Sequence, residues 1–321
     1  MIFNLDVLKI DPAQQLEKLS KFIMEQVKVV FRRKGVIVGL SGGIDSACIA
    51  AVAVHAIGKE RVVGLVLPET ESNPISSEYA IKHAQTLGIE HRQINIAPTV
   101  DSVVQYKWRD EFMRKLIPDY KPGYKYNITL PTDLLERDSF NFYSLQVQMP
   151  GGEILKKRLN LEEFRTITSF ANIKIRARML HLYAEAERRN LLVVGTTNRT
   201  EFILGDFCKY GDGGTDIEPL SYLYKNQIYQ LSDYLKVTPE IIKRQPSPDT
   251  FSLPLTDQEF FFRIPFDKLD YLLYAWEHDV PINDVANVLD ISEDAVKRAH
   301  RDFASKYRAT AHLREVPNTI E

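Results

Sequence analysis

The strongest chemical signal in the chain is a six-residue loop, residues 41–46, with the sequence SGGIDS. An apolar run at residues 35–40 precedes the loop, and a second apolar run at residues 47–54 follows it. This order predicts a strand, a glycine turn and a helix. Such a turn presents unpaired backbone N–H groups at a helix N-terminus, where they favour an anion.

The side chains of this loop extend the same chemistry. Gly42 and Gly43 allow the backbone to approach a phosphate, because neither has a Cβ. Ser41 and Ser46 add hydroxyl donors. Asp45 fits beside a phosphate site if it binds Mg²⁺, which takes carboxylate and phosphate oxygens together. The sequence therefore predicts a nucleotide phosphate site with a divalent cation.

The loop lacks the Gly-Lys-Ser/Thr ending of a Walker A motif. It resembles the SGGxDS loop of the N-type ATP pyrophosphatases, which split ATP into AMP and pyrophosphate to activate a carboxyl or carbonyl oxygen. The simplest alternative is a strand–helix turn built of small residues without a ligand. The six-residue pattern is far more specific than two glycines, and it favours the phosphate site.

A second group of polar residues follows a later apolar strand that ends at Gly195. It comprises residues 195–201 (GTTNRTE) and residues 209–216 (KYGDGGTD), with Lys225 beyond. Lysines at this place could neutralise a polyphosphate as it splits. Glu201 could join Asp45 on Mg²⁺.

The run from residue 172 to residue 225 resembles the ammonia-dependent NAD synthetases, a family within the N-type ATP pyrophosphatases. The similarity begins at residues 172–179 (NIKIRARM) and is strongest at residues 209–216. The stretches 76–96 and 312–317 (HLREVP) resemble that family as well. The SGGxDS loop alone also suits GMP synthetase, asparagine synthetase and tRNA-modifying enzymes, whereas the KYGDGGTD stretch is more discriminating.

The resemblance implies roles for individual residues. The implied ATP-binding residues are Leu40, Ser41, Gly42, Gly43, Ser46, Thr196, Lys225 and Ser247. The implied substrate-binding residues are Asn172, Arg176, Lys209, Asp212 and Asp216, the last also supporting its loop. The implied catalytic residues are Asp45, Lys209, Asp212 and Lys225. The implied Mg²⁺ ligands are Asp45 and Glu201.

The resemblance also implies a reaction. ATP would adenylate the carboxylate of deamido-NAD (nicotinic acid adenine dinucleotide) and release pyrophosphate, and ammonia would then displace AMP to form NAD. The stretch before the loop is too short for a glutaminase domain, so we expect direct use of ammonia or supply from a separate protein. Family members resemble homodimers, and we expect a homodimer here.

Three departures leave the carboxylate substrate open. Residues 104–167 form a longer connection than the family usually has, Leu313 replaces a lysine, and residues 256–263 keep only part of an acidic stretch. One alternative is a related enzyme that amidates a different adenylated acid. Another is a non-catalytic nucleotide-binding protein, for which residues 282–296 offer a pattern similar to a DNA-binding helix-turn-helix. A helical hairpin packed on the core is favoured there, because the chain lacks a basic recognition surface.

The elements that must position these residues alternate between strand and helix. Strands are predicted at residues 35–40, 62–67, 91–96 and 191–195. Helices are predicted from Asp11-Pro12 to about Lys34, and at residues 44–58, 76–87, 169–189, 225–236 and 239–243. This order predicts an α/β fold with a doubly wound parallel sheet, and the resemblance adds the adenine nucleotide alpha hydrolase-like type. Ligands of such sheets bind beyond the carboxyl ends of the strands.

We expect three parts in the chain. Residues 1–103 and 168–321 would be the two halves of the synthetase domain, the second ending in a helical tail. Residues 104–167 are rich in aromatic residues and proline and would be an inserted lid or subdomain. A decoration with its own small core, a substrate lid and a dimer arm all remain open for this insert.

Composition narrows the class of protein. The chain has 321 residues, 44% of them hydrophobic, and a net charge of −2, so bulk charge does not favour nucleic acid binding. Cys48 and Cys208 make no disulfide framework, and each is expected to be a passive packing residue. The sequence shows no signal-peptide pattern and no apolar run near the ~20 residues of a membrane span. We therefore expect a cytoplasmic enzyme whose partners are ATP, deamido-NAD and ammonia.

Overall fold

The centre of the fold is a four-stranded parallel sheet. The computed structural model describes residues 3–104, 106–138 and 141–320. The sheet has the order β3–β2–β1–β7, and all three neighbouring pairs are parallel. Its strands are β1 (Gly35–Gly39), β2 (Val62–Val66), β3 (Glu90–Gln93) and β7 (Leu191–Val194). The four strands lie where the sequence predicts them, and the predicted doubly wound α/β fold is confirmed.

Helices cover both faces of this sheet. The helices before β7 are α1 (Pro12–Glu25), α2 (Ile44–Ile57), α3 (Pro74–Leu87), α4 (Ala97–Val104), α5 (Tyr106–Leu116) and α6 (Leu161–Arg189). The helices after β7 are α7 (Arg199–Leu204), α8 (Lys225–Tyr234), α9 (Pro239–Lys243), α10 (Phe266–Glu277), α11 (Ile282–Leu289), α12 (Glu293–Ala309) and α13 (Ala311–Arg314).

Strand β1 is buried on both faces. Val36 and Val38 belong to a core shared with α1, α2 and α8, whereas Ile37 belongs to a core shared with α6 on the opposite face. A strand covered on both sides has no solvent-facing positions, which explains its continuous apolar sequence. The loop that follows β1 therefore leaves the sheet from its centre.

The first helix is shorter than the predicted span to about Lys34. Asp11 caps it by accepting hydrogen bonds from the N–H groups of Ala13 and Gln14. A π-helical turn, Gln26–Val30, follows the α-helical part. The wider turn changes the direction in which the side chains after Glu25 point. Three apolar residues of this stretch are exposed: Phe22 within α1, Val30 at 56% in the turn, and Phe31 directly after it.

Residues 104–167 contain a small antiparallel sheet. Its strands are β4 (Lys125–Thr129), β5 (Ser144–Gln148) and β6 (Ile154–Arg158), in the order β4–β5–β6. A core of its own includes Tyr126, Leu145 and Val147, and Phe251 from a later segment joins this core.

Helix α6 begins earlier than predicted, at Leu161 rather than near Ser169. Asn160 and Glu163 form a reciprocal capping box there, each side chain accepting from the other residue's N–H. This Asn-x-x-Glu spacing is a helix-start signal of the capping-box type, and it fixes the true boundary. Helix α6 therefore runs continuously from the small sheet to the start of β7.

The C-terminal helices form a separate core. Val285, Val296 and Phe303 are fully buried in it, so α11 and α12 are a helical hairpin packed on the protein, as the sequence favoured. None of the helices in the described ranges combines the length and apolar character needed to span a membrane.

Candidate active site

The loop after β1 is held by its own side chains. The hydroxyl of Ser46 donates to the carbonyl of Gly43 at 3.0 Å, and the N–H of Gly43 donates to Ser41 Oγ at 3.2 Å. Gly42 has a φ of +75°, and a Cβ on it would lie 2.2 Å from the carbonyl oxygen of Ser76. The glycine is required here because α3 passes close to the loop. The loop therefore sits closed at the N-terminus of α2, with hydroxyls and N–H groups gathered together.

Three of the predicted site residues meet directly beside this loop. Lys225, the first residue of α8, donates from Nζ to Asp45 Oδ2 at 2.5 Å and to Glu201 Oε1 at 3.3 Å. The amide of Asn198 donates to Asp45 Oδ1 at 3.0 Å. Asn198 also caps α7 in a capping box with Glu201. The segments after β1 and β7 thus deliver two carboxylates, and the first residue of α8 delivers one ammonium, to one place. We name this group the Asp45 cluster (Asp45, Glu201 and Lys225).

The Asp45 cluster has more carboxylates than cations. Burial alone would lower the pKa of Lys225, but the carboxylates of Asp45 and Glu201 raise that pKa well above its usual value. Burial and the neighbouring carboxylate of Asp45 raise the pKa of Glu201, against the opposing effect of Lys225. The neighbouring carboxylates therefore favour the charged form of Lys225, and an additional cation beside Asp45 and Glu201 would favour their ionised forms in the same way.

The carboxylates available for a cation are few. Across the parts of the chain that the structure describes, no group of three or more His, Cys, Asp or Glu side chains is arranged to hold a metal ion. Mg²⁺ often takes only one or two carboxylates and completes its shell with phosphate oxygens and water. Asp45 and Glu201 fit that pattern if a nucleotide supplies the remaining ligands.

Two further carboxyl groups adjoin the cluster and are not among the predicted site residues. Burial raises the pKa of Asp257 to about 6, and Lys225 partly offsets the rise. Burial, together with the charge of Asp257, raises the pKa of Asp206 to about 8. The acidic residues at 256–259 were the available signal for Asp257, whereas nothing in the sequence marks Asp206.

The loop at residues 209–216 lies between α6 and the C-terminal tail. Lys209 donates from Nζ to the carbonyls of His312 at 2.7 Å and Glu315 at 2.9 Å. Arg176 Nε donates to the carbonyl of Lys209 at 3.3 Å. Asp212 accepts from the N–H of Cys208 at 2.7 Å. The structure thus brings Arg176 and Lys209 together, and it adds the tail to their surroundings.

Asp216 is anchored inside the protein. One carboxylate oxygen accepts from the N–H of Val193 at 2.8 Å, and the other accepts from the hydroxyl of Tyr183 at 3.1 Å. These contacts fasten the loop to β7, in line with the expected supporting role. A direct contact of Asp216 with substrate stays a prediction.

The remaining predicted residues come from four separate segments of the chain. Leu40 is 3% exposed, and its N–H donates to the carbonyl of Leu65. Thr196 follows β7, and Asn172 lies on α6 one turn before Arg176. Ser247 lies in the irregular segment after α9. The roles of all these residues stay predictions.

Both cysteines are buried. Burial raises the pKa of the Cys208 thiol to about 11 and that of the Cys48 thiol to about 12. A thiol with a raised pKa is a poor nucleophile at neutral pH. The structure supports the expectation that both are passive packing residues.

Comparison with known proteins identifies the family. A family model described as NAD synthase matches residues 15–118 and 138–317. This chain belongs to the NAD synthase family. The match passes over residues 119–137, which contain β4 and therefore part of the small antiparallel sheet.

Curated relatives resemble the chain along its whole length. The NH(3)-dependent NAD(+) synthetase of Rhizobium meliloti (strain 1021) is 37% identical over 321 residues, which cover 100% of this chain and 96% of the relative. The protein of the same name from Thermotoga neapolitana is 34% identical, covering 95% of this chain and 96% of the relative.

Solved structures share the fold. The NMN synthetase from Francisella tularensis has a TM-score of 0.68 at 22% identity, covering 97% of this chain and 99% of that one. The NH3-dependent NAD synthetase from Campylobacter jejuni has a TM-score of 0.63 at 24% identity, covering 97% of this chain and 100% of that one. At these identities the likeness concerns the fold alone.

Proposed function

We propose that this protein is an ammonia-dependent ligase that converts deamido-NAD, ATP and ammonia into NAD, AMP and pyrophosphate. The Asp45 cluster carries the proposal, because it places one ammonium and two carboxylates beside a loop suited to phosphates. The names of the curated relatives agree with the same reaction.

The first step is adenylation, because a free carboxylate is a poor electrophile. A carboxylate oxygen of deamido-NAD attacks the α-phosphorus of ATP, and the bond from that phosphorus to the bridging oxygen breaks, so pyrophosphate leaves with the electron pair. Ser41, Ser46 and the N–H groups of Gly42 and Gly43 bind phosphate oxygens, and Lys225 stabilises the charge on the leaving pyrophosphate. Asp45 and Glu201 would hold Mg²⁺, which would neutralise phosphate charge.

The second step forms the amide. The lone pair of ammonia attacks the acyl carbon, the bond to the AMP oxygen breaks, and the nitrogen loses a proton. We propose Asp212 as the acceptor of that proton. Lys209 would bind the substrate near the reacting group, and Asn172, Arg176 and Asp216 would hold the dinucleotide.

The ATP site would be completed by Thr196, Ser247 and the backbone of Leu40. Residues 104–167 would act as an inserted subdomain between the two halves of the synthetase domain. We also propose a homodimer working in the cytoplasm, as the family resemblance implies.

The deciding experiment is mass spectrometry of the products formed from ATP, Mg²⁺, ammonium and deamido-NAD. The proposal expects NAD and AMP in equal amounts. Nicotinic acid mononucleotide is tested in parallel, because the identity of the amidated acid separates the two enzymatic alternatives. Turnover of the mononucleotide alone would overturn the proposed substrate. Absence of AMP with these two acids and with every other carboxylic acid supplied would favour a non-catalytic nucleotide-binding protein.

A further inference from the structure

A second charged cluster lies at the carboxyl end of β2. It consists of Glu69, Glu71, Arg109, Asp110 and Lys174, and we name it the buried cluster. The exposed fraction of each side chain is 11% or less, and that of Glu69 is 0%. Buried charges at this density require mutual pairing.

The ion pairs of the buried cluster centre on Glu71. Lys174 Nζ donates to Glu71, and it also lies 3.2 Å from Glu69 Oε1. Arg109 Nη1 donates to Glu71 Oε1 at 2.5 Å, and its Nη2 donates to Asp110 at 2.7 Å. Glu71 thus lies between two cations contributed by α5 and α6.

Tyrosines complete the pairing. The hydroxyl of Tyr106 donates to Glu69 Oε2 at 2.8 Å, and that of Tyr126 donates to Glu71 Oε2 at 3.3 Å. Tyr106 belongs to α5, and Tyr126 belongs to β4 in the small antiparallel sheet. The cluster therefore fastens residues 67–73, the loop between β2 and α3, to the inserted segment and to α6.

This loop borders the phosphate loop on the side away from β7. Strand β1 has two neighbours, β2 and β7, and the Asp45 cluster lies at the β7 side. The N–H of Leu40 donates to the carbonyl of Leu65 at 2.7 Å, so the end of β2 adjoins the start of the phosphate loop. If the polyphosphate of ATP points to Lys225, its nucleoside end extends towards residues 67–73.

We propose that the buried cluster positions residues 67–73 as the wall of the ATP site that contacts the nucleoside. Glu71 and Lys174 are positioning residues in this inference, since they act through the loop and do not touch the reacting atoms. Buried ion pairs add little net stability compared with apolar packing, and their best-supported use is to fix one geometry. The inference rests on the proposed function.

The test measures ATP binding and deamido-NAD binding separately, by calorimetric titration of the full chain with Mg²⁺ present. Glu71→Gln removes the central charge and keeps the side-chain shape. We expect its Kd for ATP to rise at least tenfold, while its Kd for deamido-NAD stays within twofold of the wild-type value. Tyr106→Phe removes only one hydroxyl, so it serves as a second variant in case Glu71→Gln fails to fold. We expect its Kd for ATP to rise threefold and its Kd for deamido-NAD to stay unchanged.

The matched control is Lys157→Met, which breaks the Lys157–Glu163 pair in the same inserted region. We expect it to leave both affinities unchanged. Unaltered ATP affinity in both Glu71→Gln and Tyr106→Phe, or equal losses for the two ligands, would overturn the inference. If wild-type protein itself failed to bind ATP, the proposed function would fall first, so the two failures are distinguishable.

Discussion

The two charged clusters at the carboxyl edge of one sheet differ in how exposed their side chains are and in which protein groups pair with their carboxylates. The side chains of the Asp45 cluster are 7–20% exposed, and their carboxylates outnumber the lysine. The buried cluster places two cations against three carboxylates, with tyrosine hydroxyls filling the remaining positions. The charged groups of the Asp45 cluster remain accessible to a ligand. Those of the buried cluster are paired with other groups of the protein.

The largest change in stability is expected from removing a cation of the buried cluster. Lys174→Met leaves Glu69 and Glu71 without their shared ammonium, and we expect the free energy of unfolding to fall by about 3–5 kcal/mol. Urea unfolding monitored by circular dichroism measures this loss. The triple variant Lys174→Met, Glu69→Gln, Glu71→Gln should recover most of it, because the two carboxylates that Lys174 paired are then neutral. A loss below 1 kcal/mol in the single variant would show that the cluster tolerates an unpaired charge.

A substitution in the Asp45 cluster should lower turnover and leave stability unchanged. Asp45→Asn keeps the shape of the side chain but removes a charge that faces Lys225, and we expect kcat to fall by about 10²–10³. Pyrophosphate release measures turnover, and thermal unfolding should show a midpoint close to that of the wild type. Wild-type turnover in this variant would remove Asp45 from the proposed mechanism.

A buried histidine between helices α2 and α3 is expected to give a smaller, pH-dependent effect on stability. His83 on α3 has Nε2 3.0 Å from the carbonyl of Ala47 on α2 and Nδ1 3.0 Å from Thr238 Oγ1. Burial lowers the pKa of His83, so the folded protein holds the ring neutral. Its contribution to stability is complete above the unfolded pKa of about 6.5 and is lost as the pH falls below that value towards the lowered folded pKa.

His83→Gln should flatten this dependence. Unfolding free energies measured from pH 7.5 down to pH 5 should fall less steeply in the variant than in the wild type, at a cost of about 1 kcal/mol at neutral pH. Parallel curves for the two proteins would assign the pH dependence to other groups.

The smallest effect is expected from a partly exposed pair. Lys157→Met breaks the Lys157–Glu163 contact of 2.7 Å, and we expect a change of about 0.2–1 kcal/mol in stability, because water screens such pairs. Chemical denaturation under the conditions used for Lys174→Met gives the direct comparison. If Lys157→Met lowered the free energy of unfolding as much as Lys174→Met does, burial of an ion pair would not determine the cost of breaking it.

The sequence alone was sufficient to predict the parallel sheet and the residues of the Asp45 cluster. Fully buried parallel strands have a continuous apolar signature, and their carboxyl ends must meet at one edge. Asp45 and Glu201 follow such strands directly, and Lys225 begins a helix whose pattern is readable. These residues could therefore be placed together before the structure was known.

The buried cluster was beyond the sequence for a physical reason. Glu71, Arg109 and Lys174 come from three distant segments, and each alone has the composition of a solvated charge. Asp257 follows an irregular segment, so no periodic pattern predicts its direction. The π-helical turn after Glu25 likewise has no local signature, and Val30 and the following Phe31 are exposed there.

The pairing of β1 with β7 has a consequence for how the chain is made. Residue 35 pairs with residue 191, so the central strand keeps one open, apolar edge while the ribosome adds more than 150 further residues. Sheets that join distant segments fold slowly, and an unpaired edge is a site of aggregation. Newly synthesised chains should depend on chaperones until β7 emerges, and pulse-labelled translation intermediates that stop before residue 190 should be the most prone to aggregate.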